Sequence, residues 1–599
     1  MMRLIFIAIL TFFFNISVYS NENEIIELHK TKTLDQLVLE NDSENSDDIT
    51  DVNIEDINEE EKNKNITNEE NSDSDDVEAE EIKSEIINIS NYWENVNIKE
   101  FDFYLNNINN INSSLLKKEL ISLLFDTNDI ELSEYSNEIF YLVISKLLQL
   151  GEIQKSYNLI KTKKFKENSN EKFYQSLEIN YLLSTYQLNK ACELKDEFNS
   201  KKINLDKYLL EKTDIFCLLM ENKSGEAELL NSLLAETEKE KDEYFQKIYN
   251  YLINSENTTD KKSDLLISNY NYSKELIFLY SAMTRIADLP LDESFLKIDP
   301  VNLSIPIILS NSTNMKVRLQ AANNSYLNNL ININSLAALY QSADFSSKEF
   351  NNPDLTIKNL EQNKEMIMAF YYQLANIQIF PSDRLKVILD FWNYSKNYDL
   401  EKIAYALTHN IISSIEPSIE NSEFGYEIAT AHLYNKDFTS AEKWLIFYEN
   451  AEESQEKISD IKFLYDIYKS QDILSILEFI KYYNKDSSKE NSKEIEELFY
   501  VIQQVLDQDS ELEHALDLKN IIDNRSMTTV FFNSALEDKI TNNQDEEILL
   551  LNLISLNNKK WTDLHPEHMK LVLKSFKSYK NSELLKLLLL EIFRSYKIL

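Results

Sequence analysis

The chain has 599 residues, 43% of them hydrophobic, enough for two or more domains or one long array with a large core. Its formal net charge is −41, a field that repels phosphate polymers and anionic lipid, so nucleic acid is not an expected partner. Only three glycines occur, Gly151, Gly225 and Gly425, too far apart for a phosphate-cradling loop, a dinucleotide fold or a nucleophile elbow.

Residues 1–20, "MMRLIFIAILTFFFNISVYS", read as a secretory signal. Arg3 gives the charged start, Leu4 to Phe14 the apolar run, and Val18 and Ser20 the small side chains before cleavage between Ser20 and Asn21. The apolar run falls short of the roughly 20 residues that span a bilayer, and no later segment is long and apolar enough. The expectation is an exported chain with no stable membrane insertion after cleavage, periplasmic or, alternatively, secreted. Residues 21–88 form an acidic segment. Within it, 41–82 carry 18 acidic residues against two lysines, a composition that cannot bury enough apolar surface to offset ordering. It is expected to be disordered.

Residues 89–287 read as a first helical-repeat region. "IFYLVISKLLQLGEIQKSYNLIKTKK" (139–164) is two apolar-striped runs meeting at Gly151, and 171–198 repeats the pattern with a turn near Leu188. A third unit turns at Asn222 to Gly225, giving about one helical hairpin per 35–39 residues. Cys192 lies early in the second helix of one unit and Cys217 late in the first helix of the next. Stacking would set those helices side by side, and export would permit oxidation, so the two cysteines are a candidate disulfide. Two buried free thiols are the alternative.

Pro290, Pro300 and Pro306 mark 288–310 as a junction, because helices usually stop before proline. A second helical-repeat region, 311–599, follows, with turns expected near Asn332, Asn397, Lys436 and Gln471. The closing "ELLKLLLLEIF" reads as a buried helix too short to span a bilayer.

The units resemble tetratricopeptide-type repeats, whose second helix begins G-x-[YF]-x-x-A. Gly151, Ile153 and Ser156 meet that spacing, as do Asn222, Ser224 and Ala227, and Lys436, Phe438 and Ala441. Lysine stands where the family has glycine at 436, and the family's Trp, Leu-Gly and Pro positions are mostly missing. The resemblance implies an all-α fold, an α-solenoid of antiparallel helical hairpins behind the signal peptide and acidic segment. The signal peptide, the hairpin at 211–240 and "MKVRLQAANNSYLNNLININSLAALY" together resemble an uncharacterised class of exported alphaproteobacterial helical proteins, which implies a periplasmic home and says nothing of activity.

Candidate chemistry is sparse. "HPEH" sets His565 and His568 three apart around Pro566, where a zinc-protease helix needs histidines four apart on one face, so the segment reads as a helix start. His29, His409, His432 and His514 stand isolated in the sequence, and no metal or cofactor is expected. Trp392, Trp444 and Trp561 read as core. The functional expectation is a non-catalytic scaffold or adaptor that binds protein or peptide partners in the cell envelope. The alternative is a cell-envelope enzyme of the lytic-transglycosylase type, with a superhelical scaffold carrying a catalytic module.

Overall fold

The computed structural model describes residues 92–127, 130, 133–162, 170–253, 265–450, 462–463, 465–466, 469, 474–485, 492–506 and 524–598. The expected signal peptide with Ser20 and Asn21, the acidic segment, the expected turn near Gln471, His29 and His514 lie outside these residues.

Among the described residues the chain is all-α: 28 α-helices and no strand beyond one isolated bridge between Ser526 and Leu564. It begins with α1 (Tyr92–Asn95), α2 (Ile98–Asn107) and α3 (Ser114–Phe125). Three hairpins follow: α4 (Ser136–Gln149) with α5 (Ile153–Thr162), α6 (Glu171–Ser184) with α7 (Leu188–Ser200), and α8 (Leu209–Met220) with α9 (Ser224–Thr237). Next come α10 (Glu243–Ile253), α11 (Ile277–Ile286) and the short α12 (Glu293–Ile298) and α13 (Ser304–Ile308). The second half holds α14 (Met315–Leu327), α15 (Ile333–Gln341), α16 (Ser347–Phe350), α17 (Pro353–Asn359), α18 (Lys364–Ile377) and α19 (Pro381–Lys396). It continues with α20 (Glu401–Ile412), α21 (Gly425–Tyr434), α22 (Phe438–Asn450), α23 (Leu474–Lys485) and α24 (Lys493–Leu506). The chain ends in α25 (Val530–Thr541), α26 (Asp545–Ser555), α27 (Pro566–Lys577) and α28 (Ser582–Ser595).

Apolar periodicity and caps explain the helices locally. In α4, Ile139, Phe140, Val143, Ile144 and Leu147 fall on one stripe and are all buried. Asn97, Ser113, Asn314, Asn332 and Thr529 each accept a backbone N–H of the helix they precede, satisfying a donor that has no partner within the helix.

The reversals share one device. Gly151 takes φ +91, its N–H donates to the Leu148 carbonyl, and the Glu152 N–H donates to the Leu147 carbonyl, closing α4 as a Schellman turn. Tyr186, Asn222, Asp399 and Lys436 sit at φ between 56 and 60 with the same pair of bonds. Five positions after each of these turn residues stands a small side chain with no exposed surface: Ser156, Ala191, Ala227, Ala404 and Ala441. A small group there lets the two helices approach closely. Gly225 lies past the reversal, in the first turn of α9, with negative φ and open space where a Cβ would go. Asn222 carries the left-handed conformation instead, which its short polar side chain tolerates.

Helices pack chiefly on their neighbours in sequence, α4 on α5, α5 on α6, α6 on α7, and onward to α8 and α9. Two departures shape the whole. First, α11 returns onto α6, and the Arg285 guanidinium lies 3.9 Å over the Tyr186 ring. Second, the end of the chain meets its beginning: α26 lies on α2 and α3, and α28 lies on α3. The described helices therefore close into a circuit.

Residues 288–310 break the run of long helices, and they do so inside the core. Leu289, Leu291, Phe295, Leu303, Ile307 and Ile308 are buried, and a Cβ at Gly151 would come within 2.6 Å of Val301.

Cys192 and Cys217 are joined in a disulfide with their Cα atoms 5.8 Å apart. Lys195 pairs with Asp196 on its own helix (2.6 Å) and with Asp214 on α8 (2.8 Å), so α7 is tied to α8 by one covalent and one ionic link. No described helix is long and apolar enough to cross a membrane.

Candidate functional site

Closing the circuit leaves a cavity of 2420 Å³ in its middle. Its wall is built from the inner ends of hairpins far apart in sequence: the turns at Gly151, Asn329, Asp399, Lys436 and Asn557–Lys560, and the last turn of α28. No single unit could make this wall. It exists because the circuit turns all those ends inward.

The charge of the lining runs against that of the chain. Ten lysines and arginines face six aspartates and glutamates in the wall, while the whole sequence has 61 basic against 102 acidic residues. Six of the basic groups, Lys118, Lys396, Lys402, Lys436, Lys560 and Lys597, are exposed and make no ion pair among the described residues. Lys117 donates to the Asn328 Oδ1 (3.3 Å), and burial lowers its pKa. A basic concavity walled by low-dielectric protein focuses its field toward the opening.

Aromatic groups sit between the cations. The Arg594 guanidinium lies 4.1 Å over the Tyr434 ring, which packs 4.8 Å from Tyr405. Trp392 also borders the cavity, with its indole N–H held by the Thr408 hydroxyl (3.0 Å). The three tryptophans expected in the core, Trp392, Trp444 and Trp561, are buried.

Beside this wall the fold gathers groups that stand apart in the sequence. His409 on α20, His432 on α21 and Asp437 in the α21–α22 turn place their donor atoms within 4.8 Å of one another. The His409 Nε2 is 3.2 Å from the Asp437 Oδ2, and the His432 Nδ1 is 3.3 Å from the same oxygen. His432 is buried, and that burial pushes its pKa down to about 4. The histidines that looked isolated in sequence are therefore neighbours. The signal that could have found them is the repeat register: a turn at Lys436 puts Asp437 at a helix start and His432 one turn earlier.

The HPEH segment behaves as a helix start. His565 precedes α27 and its Nδ1 accepts the Glu567 N–H (3.2 Å), while Pro566 opens the helix. His568 is buried and bonded to the Ser555 hydroxyl (3.0 Å). Of the other residues singled out by sequence, Gly151 and Lys436 line the cavity; Asn222, Gly225 and the Cys192–Cys217 bridge do not. The chain matches no known protein family, no curated protein and no solved structure.

Proposed function

We propose that this protein is an exported, non-catalytic scaffold, a tetratricopeptide-like solenoid closed on itself, that holds an acidic peptide segment of a partner protein. The observation that carries the reading is the inverted charge of the central cavity, basic in a chain of net charge −41. An acidic, extended segment complements unpaired lysines and interleaved aromatics. The acidic exterior repels the same segment, so binding concentrates at the cavity, and neutral or basic sequences gain nothing there. The expected home is the periplasm or the extracellular space, where the partner belongs to the cell envelope.

The test is fluorescence anisotropy of the full chain with labelled Asp/Glu-rich, neutral and Lys-rich peptides of equal length. The acidic peptide alone should bind, more weakly as salt rises. Charge reversal at Lys402 and Lys436, which are exposed and unpaired, should weaken it at least about tenfold, since each lost contact with a charged group is worth about 1 kcal/mol or more. Equal affinity for all three peptides would overturn the reading.

A further inference from the structure

We propose that His409, His432 and Asp437 bind a single divalent transition-metal ion, Zn²⁺ foremost, which clamps α20 to the α21–α22 hairpin.

The donor set is one that zinc takes, two imidazole nitrogens and a carboxylate oxygen. The spacing fits on the two nitrogen-to-oxygen edges, and the two histidine nitrogens, within 4.8 Å of each other, close in on an ion bound between them. A tetrahedral centre with bonds of about 2.0–2.1 Å has donor–donor edges of about 3.3 Å. The two nitrogen-to-oxygen separations are 3.2 and 3.3 Å. Three protein ligands leave a fourth position, and the side chains of His409 and Asp437 are 29% and 23% exposed, so an ion and a water can reach it.

The donors are held independently of any ion. The Asp437 N–H donates to the His432 carbonyl (2.9 Å), the outer bond of the Schellman turn, which fixes those two residues relative to each other. The Asp437 Oδ1 accepts the Ser440 N–H (3.1 Å) at the start of α22, leaving Oδ2 to face the histidines. The Asn435 amide donates to the Tyr405 carbonyl (3.1 Å) and ties this turn to the helix that carries His409. Such outer contacts orient ligands in built metal sites.

The bland alternative is a helix-capping aspartate that also pairs with His409. It accounts for both Asp437 oxygens and for His409. It does not account for the His432 Nδ1, which lies in a side chain only 1% exposed, 3.3 Å from the carboxylate, and makes no well-aligned hydrogen bond among the described residues. A buried polar nitrogen left in that state is costly. An ion placed between the three donors supplies its partner.

The experiment is a competition titration of Zn²⁺ against a chromogenic chelator with the full chain at neutral pH. One tight equivalent is expected. His409→Ala, a part-exposed position, and Asp437→Asn, which keeps a side chain able to cap α22, should each weaken that equivalent at least about a hundredfold. Circular dichroism checks that both variants fold. One equivalent of Co²⁺ gives a second readout that needs no variant, since a tetrahedral nitrogen and oxygen set shows intense d–d absorption. The proposal is overturned if the wild-type chain takes up no stoichiometric Zn²⁺, if either folded variant keeps wild-type affinity, or if Co²⁺ stays octahedral. Weak binding that survives both substitutions would place the ion on the acidic segment instead.

Discussion

The hairpin run from α4 to α9 and the seam where α26 and α28 meet α2 and α3 hold together by different means. In the run, each helix buries an apolar stripe against the next, and the reversals repeat one backbone device at Gly151, Tyr186 and Asn222. At the seam, backbone and asparagine groups 447 to 450 positions apart in sequence bond directly to one another. The Asn557 Oδ1 accepts the Asn109 N–H (3.2 Å) and the Asn110 N–H (2.8 Å), and its amide donates to the Asn107 carbonyl (3.0 Å). The Asn112 amide donates to the Lys559 carbonyl (2.8 Å), and the Tyr579 hydroxyl to Glu119 (3.2 Å). Neighbour packing builds a stack of any length. A polar seam between its ends sets one length and one closure, because unmatched backbone groups would be left if the register slipped.

The sharpest way to break the run is at Gly151, where the backbone is left-handed and a Cβ would meet Val301. Gly151→Ala should cost about 3 kcal/mol, from the conformational penalty and the forced displacement together. Thermal unfolding followed by circular dichroism should show a clearly lower midpoint. An unchanged midpoint would mean that the first hairpin does not bear on the 288–310 segment.

Next is the bridge between α7 and α8. Replacing both cysteines by serine should cost about 3 kcal/mol in the chain-entropy account of a closed loop of 25 residues. The loss should appear in the denaturant midpoint and leave the seam intact. Mass spectrometry of the non-reduced chain from its native source should find the Cys192–Cys217 peptide pair, and two alkylatable thiols in that material would refute the bridge.

Behind the seam, acid should act through His568. Burial pushes its pKa down to about 4, partly opposed by the hydrogen bond to the Ser526 carbonyl and slightly reinforced by Lys559 and His565. The folded state therefore binds its proton later than the unfolded state does, near 6.5. This contribution to stability is complete above pH 6.5, falls as pH drops toward 4, and is lost by then, a change of about 3 kcal/mol. The acidic side chains titrate in the same window, so the comparison is with His568→Gln. The wild type should lose more stability than this variant between pH 7 and 4; parallel profiles would refute the assignment.

The seam itself is tested by Asn557→Ala. It removes three bonds, all in exposed surroundings where water replaces part of each, so the expected cost is about 1–2 kcal/mol. Hydrogen exchange should speed up at Asn109 and Asn110 while the α6–α9 amides stay protected. Faster exchange in both places would make the seam part of one cooperative unit with the run.

The same contrast marks how far the sequence could be read. Helices, turns at Gly151, Asn222 and Lys436, buried tryptophans and the proximity of Cys192 to Cys217 follow from periodicity within about one repeat, where the physics is local. The turn expected near Leu188 centres on Tyr186, and that near Asn397 on Asp399, errors of two residues. The cavity and the seam depend on contacts between residues hundreds of positions apart, and no window of sequence contains both partners. Closure is made at Asn107, Asn109, Asn110, Asn112 and Asn557, none of which stands out by its sequence context.

The smallest effect belongs to Gly225, one of the chain's three glycines. Gly225 stands in the first turn of α9 with ordinary helical backbone and no atom within 4 Å of a would-be Cβ. The left-handed reversal that glycine would favour is already made by Asn222 at φ 60. Glycine there only adds freedom to the unfolded chain. Gly225→Ala should therefore stabilise the protein by about 0.5–1 kcal/mol, a gain felt through the unfolded state and not through any new contact. Asn222→Ala should act in the opposite sense, because alanine pays the left-handed penalty that asparagine partly relieves. Measured side by side in denaturant, a rise for the first substitution and a fall for the second locate the turn at Asn222. A fall for Gly225→Ala would move it to Gly225.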